Sequence, residues 1–270
     1  QMYYNHLDQI LSSSCSNCNQ YTLKIPTPPA KNLALQGGGV RGVAEVGAYQ
    51  SLTEYKYNYS GDESAMDHIR NISGTSCGAI NALLIALRFT PDELATLAGK
   101  ELFENLNDHN SKFDIFNSLL RFDLPSLMKG EQLASFIKQL VFIKTGNENM
   151  TFEQLSKLSA LQGRPINLII TGTNISENKL EYYSEKTSSE MPIALATRIS
   201  ASIPGYFSSV KYKNYWAVDG GVISNLPIEV FDNPIFCDHD TTDSRVRKCT
   251  ANTQTLGISL KPPINGTKSY

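Results

Sequence analysis

Ser76 stands in Gly74-Thr75-Ser76-Cys77-Gly78, a G-x-S-x-G spacing. Glycines two residues either side of a serine allow a sharp strand-to-helix turn that lifts the hydroxyl clear of the sheet. The positive end of the following helix then favours negative charge on an attacked carbonyl oxygen. The chemistry this suits is nucleophilic attack on an acyl carbon, although the same five residues also suit a plain tight turn. A serine nucleophile needs a base. Asp219, in Trp216-Ala217-Val218-Asp219-Gly220-Gly221, emerges at the end of an apolar run. Asp-Gly pairs are ordinarily turns, yet a buried carboxylate with raised proton affinity can take a serine proton directly. The histidines are His6, His68, His109 and His239. Ser76, Asp219 and His239 follow the chain order of one type of Ser-Asp-His triad. His239, however, lies in Cys-Asp-His-Asp-Thr-Thr-Asp, which reads as a solvated loop, so a Ser–Asp pair is the expectation.

Such a pair needs donors for the oxyanion. Gly37-Gly38-Gly39-Val40-Arg41-Gly42 offers convergent backbone N–H groups at residues 37–41, with Arg41 as a brace for the loop. The same residues formally match the dinucleotide fingerprint G-x-G-x-x-G, with Glu54, Asp62 or Glu63 at the distance of a ribose-binding acid. From the loop alone both readings stand. Cys15 and Cys18 form a C-x-x-C that Cys237, His239 and Cys249 could complete as a zinc site; scattered reduced thiols are the plainer reading.

The elements that must position these groups follow from patterning. A strand is expected at residues 31–36 and a helix at 43–55. A second strand at 68–72 runs into the serine turn and an apolar helix that ends at Arg88. Thr90-Pro91-Asp92-Glu93 and Thr151-Phe152-Glu153-Gln154 read as helix starts. Residues 166–171 read as a strand, with 179–183 pairing beside it. A helix at 192–202, a strand ending at Val218 and a late strand near 255–260 complete the series. Strands separated by helices predict one α/β domain with a mainly parallel sheet flanked by helices. Residues 1–30 are expected to be an N-terminal extension and 31–270 the catalytic domain. The apolar residues between 111 and 129, among them Phe113, Phe116, Leu120 and Leu127, read as a helical cap for a lipid-sized pocket.

With 270 residues, 26 acidic and 24 basic, the net charge is −2, against the basic excess of a nucleic-acid binder. The longest apolar run, residues 79–87, is interrupted by Asn81 and far short of the roughly 20 residues a membrane span needs. The chain opens on Gln1 and not on Met, the expectation being a piece of a longer protein.

Taken together and in this order, the three motifs resemble those of the patatin-like phospholipase family. Residues 37–42 look like its oxyanion loop, 74–78 like its nucleophile elbow, and Asp219-Gly220-Gly221 like its catalytic-aspartate motif. Arg198-Ile199-Ser200-Ala201-Ser202-Ile203-Pro204-Gly205-Tyr206-Phe207 and Asn225-Leu226-Pro227 are similar to the segments flanking that aspartate. Cys77 departs from the usual alanine, and Ser208-Ser209 stands where a proline is common. The resemblance implies a lipid acyl hydrolase of phospholipase A or lysophospholipase type, with Ser76 as nucleophile, Asp219 as base and no metal or cofactor. It also implies a phospholipid membrane surface as partner, met peripherally, and a secreted member of the family activated by a host protein. The competing expectations are a catalytically silent membrane- or partner-binding module and a dinucleotide-binding protein.

Overall fold

Leu33 and Leu35 point to one side of strand β1 (Asn32–Leu35) and Ala34 to the other, and all three are fully buried. A strand buried on both faces belongs inside a layered α/β sheet. The computed structural model describes residues 29–56, 63–103, 130–236 and 254–260. After β1 come a 3-10 turn (Gly39–Gly42), helix α1 (Val43–Glu54), a short helix α2 (Ala65–His68) and strand β2 (Asn71–Gly74). Helices α3 (Cys77–Ala86), α4 (Pro91–Phe103), α5 (Glu131–Thr145) and α6 (Phe152–Leu161) lead to strands β3 (Asn167–Asn174) and β4 (Lys179–Ser184). Short α7 (Glu185–Ser188), α8 (Ile193–Ser200), β5 (Val210–Tyr212), β6 (Tyr215–Asp219) and β7 (Thr255–Ile258) follow.

The expected α/β architecture is present. β7, β1, β2 and β3 run parallel in that order, and β4, β5 and β6 add antiparallel pairings. Antiparallel neighbours need no crossover helix, so strand–helix alternation does not announce them. One large apolar cluster joins Leu33, Leu35, Ile72 and Ile170 to helices α1, α3, α5, α6 and α8. On the opposite face Ala34 and Ile169 pack with Val230, Phe231 and Phe236, brought there by a 3-10 helix (Ile228–Asp232).

At the N-terminal ends of the parallel strands an amide ladder fixes the register. Asn167 Nδ2 donates to Asn71 Oδ1 (2.8 Å), Asn71 Nδ2 to Asn32 Oδ1 (2.7 Å), and Asn32 Nδ2 to Thr255 Oγ1 (3.1 Å). These four residues face one another directly in the pairing of β3, β2, β1 and β7. A one-residue slip would leave buried amides without partners.

Both expected capping boxes form: Thr90 with Glu93, and Thr151 with Gln154. β2 begins at Asn71 and not near residue 68, because Ser64 and Asp67 make a third box that keeps residues 65–68 helical. The stretch 111–129, residues 1–28, and the cysteines other than Cys77 lie outside the described residues. No helix among the described residues is long and apolar enough to cross a membrane.

Candidate active site

Residues 169–174 of β3 pair with β4 along one edge, so β2 and β6 share the other. Parallel β2 runs to Gly74 opposite Ile170, and antiparallel β6 runs to Asp219 opposite Gly172. Opposite strand directions on one edge bring the two C-terminal ends head to head across Thr171. Ser76 and Asp219, 143 positions apart in the chain, therefore arrive at the same point.

The serine turn has the geometry its glycines suggest. Ser76 has φ 56° and ψ −123°, a conformation L-residues rarely adopt, and heads helix α3. A Cβ on Gly74 would fall 2.3 Å from the Gly78 carbonyl oxygen, so the turn closes only with glycine there. Ser76 is 6% exposed and Asp219 5%. The Ser76 hydroxyl hydrogen-bonds to the Asp219 carboxylate. Burial raises the Asp219 pKa from 3.8 to about 6, and that hydrogen bond and the Gly221 N–H (2.7 Å to Oδ1) offset part of the rise. A carboxylate so placed is ionised at neutral pH, yet holds a proton far better than an exposed one.

Neighbouring groups hold both residues by their backbones. The Ser76 N–H donates to Ser200 Oγ at 2.9 Å, and the Asp219 N–H to the Ser202 carbonyl at 3.0 Å. Buried Arg198 donates to Ser202 Oγ and, through Nε, to the Gly130 carbonyl at 2.9 Å, with its guanidinium over the Phe207 ring. Thr75 and Thr171 join hydroxyls at 2.7 Å between the two strand ends, and Thr173 Oγ1 donates to the Asp219 carbonyl. Arg198, Ser200, Ser202 and Asn225 lay within quoted sequence segments, but without roles. Thr75 and Thr171 carried no signal, since strand threonines are common.

In the glycine loop, the Gly37 N–H donates to the Asn225 carbonyl (2.9 Å), while Asn225 Nδ2 donates to the Gly37 carbonyl (2.9 Å). The Arg41 N–H donates to the Gly38 carbonyl at 3.2 Å. Of the five expected donors, Gly37 and Arg41 are thus spoken for. The amides of Gly38, Gly39 and Val40 have no such partner among the described residues. Gly39 has φ +55°, which turns the peptide and suits no other residue type as well. Arg41 is exposed.

The dinucleotide reading does not fit. A ribose-binding acid belongs at the end of the second strand, where β2 instead ends at Gly74 and runs on into Thr75 and Ser76. Glu54 closes α1 and accepts from Gln50, and Glu63 lies 3.6 Å from His68. Asp62, His239 and the cysteines of the zinc reading lie outside the described residues.

Comparison with known proteins shows the family. The model of the family described as patatin-like phospholipase matches residues 33–232, and the chain belongs to that family, and with it to the lipid hydrolases. An uncharacterized protein, R571, of Acanthamoeba polyphaga mimivirus is 30% identical over 237 residues, covering 85% of this chain and 73% of its own length. A probable lipid hydrolase, 463L, of Invertebrate iridescent virus 6 is 27% identical over 213 residues, covering 78% of this chain and 67% of its own. Among solved structures, VipD from Legionella pneumophila is similar at 20% identity and a TM-score of 0.49, covering 74% of this chain. The chain spans 47% of the VipD structure's length.

Proposed function

We propose that the chain is a phospholipase A or lysophospholipase that cleaves glycerophospholipid esters with a Ser76–Asp219 dyad. The observation that carries the reading is the Ser76 hydroxyl bonded to a buried, raised-pKa Asp219 at the head of α3. Asp219 accepts the Ser76 proton as Oγ attacks the ester carbonyl. The N–H groups of Gly38, Gly39 and Val40 hold the tetrahedral oxyanion. Collapse expels the lyso-lipid oxygen, which takes the proton from Asp219 and leaves acyl-Ser76. Water then gives a proton to Asp219 and attacks the acyl carbon, and departure of the fatty acid returns that proton to Ser76. Arg41 braces the loop from outside. The exposed Val43, Val222 and Ile223 follow the glycine loop and the aspartate closely in the chain, which supports a lipid surface as the partner met by this face. A host protein activator belongs to the same reading.

The test is fatty acid release from mixed phospholipid vesicles by wild type, Ser76→Ala and Asp219→Asn, with and without eukaryotic lysate. Release lost in both variants supports the dyad, and dependence on lysate supports an activator. Release that persists in Ser76→Ala refutes the nucleophile assignment. Vesicle binding with no release under any condition favours the silent module.

A further inference from the structure

Glu45 takes no part in the chemistry above, yet it is a carboxyl group with 1% exposure in the first turn of α1, directly after the glycine loop. Its Oε2 accepts from Asn81 Nδ2 at 2.7 Å, and its Oε1 is buried without a hydrogen-bond partner. Asn81 lies on α3, the helix that Ser76 heads, and the same Nδ2 donates to the Gly42 carbonyl at 3.0 Å. Gly42 closes the loop. A Cβ on it would fall 2.0 Å from Cys77 Sγ, so loop end and helix start are in direct contact. At the loop's other end, the Gln36 N–H donates to the Ile258 carbonyl of β7 at 3.2 Å. One asparagine on the serine's own helix therefore holds both the acid and the end of the segment that carries the free amides.

We propose that Glu45, acting through Asn81, is a positioning residue that locks the Gly42 end of the glycine loop against α3 and so sets the placement of the loop amides relative to Ser76. The inference rests on the lipid-hydrolase reading of the site. A buried acid could be an indifferent filler, but filler gains nothing from an orphaned oxygen, which costs stability. Burial pushes the Glu45 pKa up to about 7, against Asn81 and Gln36, which lower it. The titratable group facing it from α3 is the Cys77 thiol, pushed up to about 12 and neutral throughout the working range. Arg88, Glu93, Arg164 and Asp67 act further along α1, at Tyr49. Protonated Glu45 leaves the loop's field positive toward an oxyanion, whereas ionised Glu45 sets a negative charge behind it.

The experiment measures steady-state hydrolysis of a short-chain nitrophenyl ester and the rate at which a fluorophosphonate labels Ser76, from pH 5 to 9. Glu45→Ala is expected to lower kcat about 10- to 100-fold with KM nearly unchanged, and to slow labelling in step. Glu45→Gln, which keeps the shape and the Asn81 contact, restores the rate to within about twofold and removes the descending limb near pH 7. Asn81→Ala matches Glu45→Ala, and the double variant is no worse than either. The inference is overturned if Glu45→Gln falls as far as Glu45→Ala with its melting temperature intact, if the pH profile does not change, or if the two single effects add. Loss of all labelling in Ser76→Ala with Glu45 variants like wild type sinks this inference alone, whereas labelling that persists in Ser76→Ala sinks the underlying function.

Discussion

The two ends of the four parallel strands are built on opposite terms. At the N-terminal end, Asn32, Asn71 and Asn167 pair amide to amide in register, and Asn32 donates on to the Thr255 hydroxyl. At the C-terminal end, Ser76 sits in a strained conformation, Asp219 is a buried acid with a raised pKa, and Glu45 keeps an oxygen with no partner. Polar groups satisfied inside a fold stabilise it, and polar groups left unsatisfied or strained are held ready for another partner. One end specifies the sheet while the other carries strain and unsatisfied groups at the sheet's expense.

Breaking the reactive end should therefore cost activity and not stability. Ser76→Ala should lower fatty acid release by at least about 10³-fold while its melting temperature stays that of wild type. Asp219→Asn should lose about 10²–10⁴-fold in turnover and melt higher at pH 8, followed by circular dichroism. The sign follows from linkage. The folded state favours the neutral acid, so the stability Asp219 contributes is complete below 3.8 and is lost as pH rises through about 6. An amide never ionises, and its gain at pH 8 should be about 1–3 kcal/mol.

Breaking the other end should do the reverse. Asn71→Ala orphans the amides of Asn32 and Asn167 and should cost about 1–3 kcal/mol in urea unfolding, with turnover per folded molecule unchanged. The pH dependence sharpens the contrast. Turnover should fall about tenfold from pH 7 to 5 as Asp219 takes up its proton, although the same uptake stabilises the fold and should raise its melting temperature over that range. As the smallest effect, Lys157→Ala removes an exposed ion pair with Glu153 on α6 and should shift stability by under about 0.5 kcal/mol, with no change in turnover.

Local chemistry was legible in the sequence, and non-local pairing was not. The glycines around Ser76 and the Asp219-Gly220-Gly221 run declared themselves because a strained turn limits residue choice within five positions. The two capping boxes at Thr90 and Thr151 were equally local. Helix α5 begins at a left-handed Gly130 with no side-chain cap, so no start signal marks it, and the Ser64–Asp67 box that delays β2 frames only four residues. The antiparallel direction of β6 lay beyond a reading of local pattern, since strand direction leaves no local mark. Ser200 bonds to Ser76 across 124 positions, and Asn225 to Gly37 across 188, so their roles come only from the fold. Gly37 read as an oxyanion donor because its neighbours do, whereas Asn225 occupies its N–H.

The shared edge of β3 has a mechanical consequence. β2 and β6, which lead to Ser76 and Asp219, each take their position from the same strand, so when the sheet twists or breathes both are carried along together. Their separation is insulated from such motion to first order. The glycine loop hangs from β1, one strand further away, and takes its position from that strand, from Asn225 and from Asn81. The alignment of the loop with Ser76 and Asp219 is thus set by a different strand from the one that sets the Ser76–Asp219 pair.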